Sequence, residues 1–185
     1  MNEIQRVQQV LSGNTSAFAY FVESYQDMAI TIAYRICDNR QDAEDVVQDS
    51  FVKAYKNLRS YRAESKFSTW FYRIVYNTAI TFTKSQIWVN TQTIMIENAV
   101  EIATDSLEKQ FEDAEREEIV ADIMGRMPKG EALLLTLYYM EDNPIKEIAK
   151  ITGLNESNVK VKLFRARKLF GDLAISNYGL QITGS

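Results

Sequence analysis

One stretch of the chain mixes aromatic, basic and amide side chains at close spacing. Phe67, Trp70, Phe71, Tyr72 and Tyr76 are interleaved with Lys66, Arg73 and Asn77. Aromatic faces stack on exposed bases and cations track a phosphate backbone, and an amide such as Asn77 can read a base edge. Phe67, Phe71 and Ile74 recur at helical spacing and read as core. Trp70 reads as a buried anchor, which leaves Ser68, Thr69, Tyr72, Arg73 and Asn77 as the functional candidates. A second stretch, residues 145–168, has the form of a helix-turn-helix. Gly153 suits the positive φ of the turn, Asn155 suits a helix N-cap, and Ala149 is small where two helices would cross. The following helix places Val159, Leu163, Ala166, Phe170 and Leu173 on one side and Lys160, Lys162, Arg165, Arg167 and Lys168 elsewhere. Such a helix can lie in a major groove, with its first turns near base edges and its cations on phosphates. A third stretch carries Asp42, Asp45, Asp49, Lys53 and Lys56 at three- and four-residue steps, opposite Ala43, Val46, Val47, Phe51, Ala54 and Leu58. This acidic helix face suits docking to a basic partner surface.

Other chemistries are excluded by what the 185 residues lack. There is no histidine, so a Ser-His-Asp triad, a Cys-His pair and a His-ligated metal site are ruled out. The single cysteine, Cys37, can form neither an internal disulfide nor a Cys-rich metal site, and its apolar surroundings mark it as a small buried hydrophobe. No catalytic residue, metal ligand or cofactor site is expected. The first residues show no secretory apolar region, and no apolar stretch is long enough to span a bilayer. A reducing cytoplasm is the expected compartment.

Hydrophobic residues make up 46% and charged residues 25% of the chain, an ordinary globular composition. Seven Gly and two Pro leave little room for a turn-rich β fold, and the pattern reads as helix almost throughout. The expected helices cover about residues 16–37, 41–57, 67–83, 106–127, a segment opened by Pro128, 145–152 and 156–173. Asn14 or Thr15 would cap the first of these, and Asp38 with Asn39 would end it and cap the next. Residues 58–65 read as a loop. The fold class is therefore all-α, with two small helical domains: 1–85, then a linker over 86–105, then 106–185.

Charge follows the same division, although the net value is only −4. Residues 53–84 hold seven basic residues against Glu64 alone, and residues 144–170 hold seven against Glu147 and Glu156. Between them, residues 97–122 carry ten acids against Lys109 and Arg116. A basic, acidic, basic order fits a chain that touches polyanion at two places, and it equally fits two solvated helix faces.

Taken together, the motifs resemble those of the extracytoplasmic-function (ECF) sigma factors of bacterial RNA polymerase. Asp42-Ala-Glu-Asp-Val-Val-Gln-Asp-Ser-Phe is similar to that family's polymerase-binding helix. Phe67-Ser-Thr-Trp-Phe-Tyr-Arg-Ile, followed by Asn77-Thr-Ala, is similar to its promoter-melting helix. Met127-Pro128 and the 145–167 hairpin resemble its C-terminal DNA-binding domain. The resemblance covers most of the chain, with both domains in order. It implies that Asp42, Glu44, Asp45, Gln48 and Asp49 face the clamp helices of the largest polymerase subunit. It implies a loop over residues 58–66, including Arg59 and Arg62, that captures a flipped base of the −10 element. Lys66, Thr69, Tyr72, Arg73 and Asn77 would line the melted strand. Glu156, Ser157, Asn158, Lys160, Val161, Lys162, Phe164 and Arg165 would read the −35 element. The partners implied are core RNA polymerase, promoter DNA and an anti-sigma factor able to clamp both domains, with no small-molecule substrate and no membrane insertion of the chain's own. The acidic linker would run through polymerase channels otherwise used by RNA.

Two departures weaken specific contacts. After Asn77 the family usually continues with an acid and several arginines, whereas this chain has Ile80-Thr-Phe-Thr-Lys-Ser-Gln-Ile. The arginines usual after Met127-Pro128 are missing from Ala132-Leu-Leu-Leu-Thr-Leu-Tyr. Contacts to upstream duplex and to phosphates there should be weaker. Two rival readings fit the same residues: a free-standing helix-turn-helix regulator, and a sigma-like helical adaptor that does not initiate.

Overall fold

The computed structural model describes the backbone of residues 2–91 and 113–179, and the side chains of 2–85 and 116–179. Every regular element in the described residues is helical. The first group comprises α1 (Glu3–Leu11), α2 (Ala19–Cys37), α3 (Arg40–Lys56) and α4 (Phe67–Thr91). The second comprises α5 (Asp113–Arg126), α6 (Lys129–Leu135), α7 (Ile145–Thr152) and α8 (Glu156–Tyr178).

Local sequence explains most of the boundaries. Asn2 and Gln5 form a reciprocal capping box that opens α1. Asp38 takes a left-handed conformation that ends α2, and the Asn39 side chain accepts from the Asp42 N–H to start α3. The break expected at Asp38 and Asn39 is therefore present. The helix expected from residue 16 instead begins as a 3-10 turn, Thr15–Phe18, because Asn14 spends its side-chain oxygen on the Ser16 hydroxyl and caps no backbone N–H.

Aromatic packing holds the first group together. Phe21 and Phe67 stack with centroids 4.0 Å apart, and Phe51 stacks on Phe71 at 4.4 Å. These rings tie α2, α3 and α4 into one core, with Val46, Val47, Ala54 and Leu58 buried beneath them. In the second group, Leu133, Leu134, Leu137, Ile148, Ile151, Val159 and Leu163 are buried. The alternation of large side chains with Ala132 and Ala166 lets α6, α7 and α8 approach closely.

Two further helices differ from expectation. α4 continues to Thr91, so residues 86–91 of the expected linker are helical, and the rest of that linker, 92–105, lies outside the described residues. The segment 106–112 of the next expected helix also lies outside them. α8 runs on to Tyr178 rather than stopping near 173, because its last turns have a partner. Ala174 packs with Ile119 and Ile123 of α5, and the Tyr178 hydroxyl donates to Asp122 Oδ2 at 2.6 Å. Gly179, with φ of 63°, ends the helix in the left-handed region.

The two groups pack against each other through α4 with α7 and α2 with α6. Their buried side chains form one continuous cluster.

Candidate nucleic-acid interface

The helix-turn-helix is built as its residues require. α7 ends at Gly153 with φ of 74°, where a side chain would be strained but would meet no neighbour. Asn155 caps α8 by accepting from the Asn158 N–H at 2.7 Å. Val159, Leu163 and Ala166 are buried against the rest of the hairpin. Their helical complement, Glu156, Ser157, Asn158, Lys160, Val161, Phe164 and Arg165, is exposed, and Lys162 is half-buried. Phe164 is 69% exposed, unusual for an aromatic side chain with nothing to cover it. Arg167, on the same helix, is pinned aside: its guanidinium lies over Tyr138 and its Nε donates to the Tyr139 hydroxyl at 2.8 Å. Seven of the eight candidates are thus exposed on a preformed helix, around its buried side.

The acidic helix also presents one face. Asp45, Gln48 and Asp49 are exposed on α3, while Asp42 and Glu44 are half-buried. Asp49 pairs with Lys53 at 2.7 Å and Glu44 with Arg40 at 3.0 Å. Val52 and Tyr55 lie on the same stripe, four and seven residues beyond Gln48, and both are exposed. The sequence reading missed them. The available signal was an apolar residue at the acidic spacing instead of the core spacing. The face combines negative charge with an apolar end, which suits a protein surface better than solvent.

The α4 region is divided. The loop ahead of it is folded around Tyr61, whose hydroxyl donates to the Ser65 carbonyl at 2.9 Å and whose ring packs on Trp70 and Phe67. Arg59, Arg62 and Lys66 are exposed on this loop, and Arg73 and Asn77 are exposed on α4. Asn77 borders an open groove between α3 and α4 with Lys53, Asn57, Ile74, Thr78 and Thr81. Lys53 Nζ reaches Thr78 Oγ1 across that groove at 3.3 Å. Thr69 and Tyr72, by contrast, are each only 1% exposed. A free aromatic stacking face at Tyr72 is therefore absent in this conformation: its ring packs against Tyr25 and Phe71, and its hydroxyl reaches the C-terminal group.

The cover is polar. The Tyr72 hydroxyl donates to Glu141 Oε2 at 3.2 Å. Burial pushes the Glu141 carboxyl up from its ordinary range, with the Tyr72 hydroxyl and the nearby Lys66 charge pulling the other way. Burial and the adjacent Glu141 together raise the Tyr72 phenol. Glu147 lies beside Thr69. Its burial alone would raise the carboxyl, but the Thr69 hydroxyl and Lys150 outweigh this and hold it below the usual value. Lys150 Nζ sits 3.1 Å from Glu147 Oε1 and 3.4 Å from the Glu64 carbonyl in the loop.

Cys37 is half-buried and not fully buried as expected, because it sits in the last turn of α2, and burial raises its thiol. Among the described residues no group of His, Cys, Asp and Glu could hold a metal, and no helix is long and apolar enough to cross a membrane.

Comparisons with known proteins agree with this geometry. The Sigma-70 region 2 family model matches residues 21–89, and the Sigma-70 region 4 family model matches residues 117–170. The chain is 34% identical over 174 residues to the ECF RNA polymerase sigma-E factor of Haemophilus influenzae, covering 90% of each. It is 28% identical over 172 residues to the ECF sigma factor SigW of Bacillus subtilis, covering 89% of this chain and 92% of that one. Among solved structures, the sigma factor RpoE of Bartonella quintana, seen in complex with the anti-sigma factor NepR, shares the fold. That match has a TM-score of 0.66 at 18% identity, over 84% of this chain and 95% of that one. Both the order of the two matched regions and the identity across nearly the whole length place this chain in the family of ECF RNA polymerase sigma factors, which are transcription initiation factors.

Proposed function

We propose that the chain binds core RNA polymerase through the α3 face, reads a −35 element with α8, and holds the melted −10 strand on α4 and its leading loop. The observation that carries this reading is the presence of three separate, differently built faces in the family's order. These are an acidic and apolar face at Asp45, Gln48, Asp49 and Val52, a basic loop and helix edge from Arg59 to Asn77, and the exposed side of α8. Each suits a different partner surface: a protein, a single strand and a duplex groove. A free-standing duplex-binding regulator would have no use for the first.

The chain supplies binding energy and register, and polymerase supplies the chemistry. Flipping a base out of the stack costs a few kcal/mol, which the loop over 58–66 and the α4 edge would offset. The compartment is the cytoplasm, where polymerase and promoter are found. A partner such as an anti-sigma factor would restrain the chain by covering these faces.

Co-elution with purified core polymerase tests the first step. The parent chain is expected to co-elute stoichiometrically, and Asp45→Lys with Asp49→Lys to weaken binding at least tenfold while leaving helix content unchanged. A parent chain that elutes alone would contradict the reading.

A further inference from the structure

On the reading above, residues 58–66 capture a flipped base, and Phe67 opens α4 directly behind them. After the 3-10 turn Leu58–Ser60 the loop has no regular element of its own, and the Tyr61 hydroxyl closes it on the Ser65 carbonyl. α1 packs on that turn from outside. Its first residue, the half-buried Glu3, accepts from the Tyr25 hydroxyl. Tyr25 stacks on Phe67 with centroids 5.6 Å apart, and Tyr61 meets the same ring edge-on at 5.4 Å. We infer that Glu3 is a positioning residue for −10 recognition: it fixes Tyr25 on Phe67, and Phe67 with Tyr61 then fixes the shape of the base-capture loop.

α1 reaches Phe67 by two routes. The first is the Glu3 carboxylate through Tyr25. The second starts one turn later, where the Arg6 guanidinium lies 3.8 Å over the Tyr20 ring. Tyr20 meets Phe21 edge-on, and Phe21 stacks on Phe67 at 4.0 Å. The support itself is preset, because the capping box of Asn2 and Gln5 fixes the turn that bears Glu3. Val7 and Val10 of α1 are buried in the same cluster as Leu58 and Phe67, so α1 cannot swing away without exposing apolar surface. Burial raises the phenols of Tyr25, Tyr61 and Tyr72, and the charge of Glu3 adds to the rise in each. One carboxylate thus sits within electrostatic reach of three rings that flank the seat.

Cohesion alone does not account for this carboxylate. Val7 and Val10 already supply apolar packing, and a carboxylate drawn half out of water gains little net stability from one hydrogen bond. What a charge-assisted bond does supply is direction. The loop carries exposed Arg59, Arg62 and Lys66 on its outside, while Tyr61 and Phe67 behind them are held. The precision of a binding site depends on the shell that locks its contact groups. Glu3 belongs to that shell and needs no contact with DNA.

This inference rests on the proposed function, and two readouts on the full-length chain separate them. The first is acrylamide quenching of Trp70, which packs on Tyr61 and Phe67 and becomes the only tryptophan in a Trp88→Phe background. Glu3→Ala is expected to raise the quenching constant about twofold through local loosening, with helix content unchanged. Glu3→Gln, which keeps an acceptor for Tyr25, should restore the parent value. Tyr25→Phe removes the same bond from its other end and keeps the ring, so it should match Glu3→Ala, and the double variant should match either single. Unchanged quenching, or effects that add, would overturn the inference. The second readout is run-off transcription with core polymerase from a promoter the parent uses, and from versions with each −10 base replaced in turn. Glu3→Ala is expected to lower discrimination between the parental and replaced bases about fivefold, with co-elution with core polymerase and affinity for the −35 duplex unchanged. A parent that initiates and a variant with the same discrimination would leave the function standing and overturn the role of Glu3. Parallel loss of core binding, −35 affinity and discrimination would show a stability effect alone and overturn it too. A parent that never initiates removes the proposed function and the −10 role of Glu3 with it.

Discussion

Arg165 and Glu141 show how differently two charged side chains act here. Arg165 is exposed on α8, on the side proposed to enter a duplex groove, with no ion pair or hydrogen bond to lose. Its replacement by alanine should leave thermal stability unchanged and weaken binding to a −35 duplex, by about 1–3 kcal/mol if it makes a bidentate base contact. Fluorescence anisotropy with a promoter duplex measures this, and an unchanged affinity would remove Arg165 from the reading set. Glu141 is half-buried, and its raised carboxyl means that folding favours the neutral form. A group of that kind contributes stability below the unfolded carboxylate value of about 4.3, and the contribution is lost as pH rises through the higher folded value. Glu141→Gln keeps an acceptor for Tyr72 without the desolvated charge. Its melting temperature should match the parent near pH 4 and exceed it at pH 7, and a constant difference across that range would contradict the assignment.

At the scale of elements, the turn and start of α8 depend on two residues. Gly153 holds the left-handed turn, and Asn155 supplies the α8 cap. Gly153→Ala meets no steric neighbour, so its cost is backbone strain alone, about 1 kcal/mol. Asn155→Ala should cost about 0.5–2 kcal/mol through the lost cap and should loosen Ser157 and Asn158 in the first turn. Denaturant titration reads both, and an unchanged midpoint in either variant would contradict the local account. Caps and turns of this kind are local, which is why α3 and α8 begin where Asn39 and Asn155 suggest. The ends of α4 and α8 were not legible in the same way. Residues 86–91 have weak periodicity, and the last turns of α8 are stabilised by Tyr178 reaching Asp122 across 56 positions of sequence. No window of local pattern contains that pair.

For the whole molecule, the core residues were readable from spacing, and Phe67, Phe71, Val159 and Leu163 are all buried as expected. The candidate site was readable as a set of residue types but not as a set of accessible groups. Thr69 and Tyr72 have the right chemistry at the right spacing, yet both are buried, with the Tyr72 ring against Tyr25 and Phe71 and its hydroxyl on Glu141, a partner 69 positions further along the chain. Val52 and Tyr55 were missed for the opposite reason, since apolar residues on a helix are assigned to the core unless a fold shows them exposed. Charge acts at this scale too. The basic residues from Lys53 to Lys84 and from Lys146 to Lys168 lie in separate helical groups. Promoter affinity of the chain with polymerase should therefore fall steeply with salt, and the slope should shrink by about one for each phosphate-contacting cation removed. The most direct measurement is run-off transcription from genomic promoter fragments with purified core polymerase, with and without the chain. New transcripts that begin downstream of a shared two-element motif, and that are lost with Asp45→Lys and Asp49→Lys, are the predicted result. Tight duplex binding by the chain with no effect on core polymerase would contradict the account.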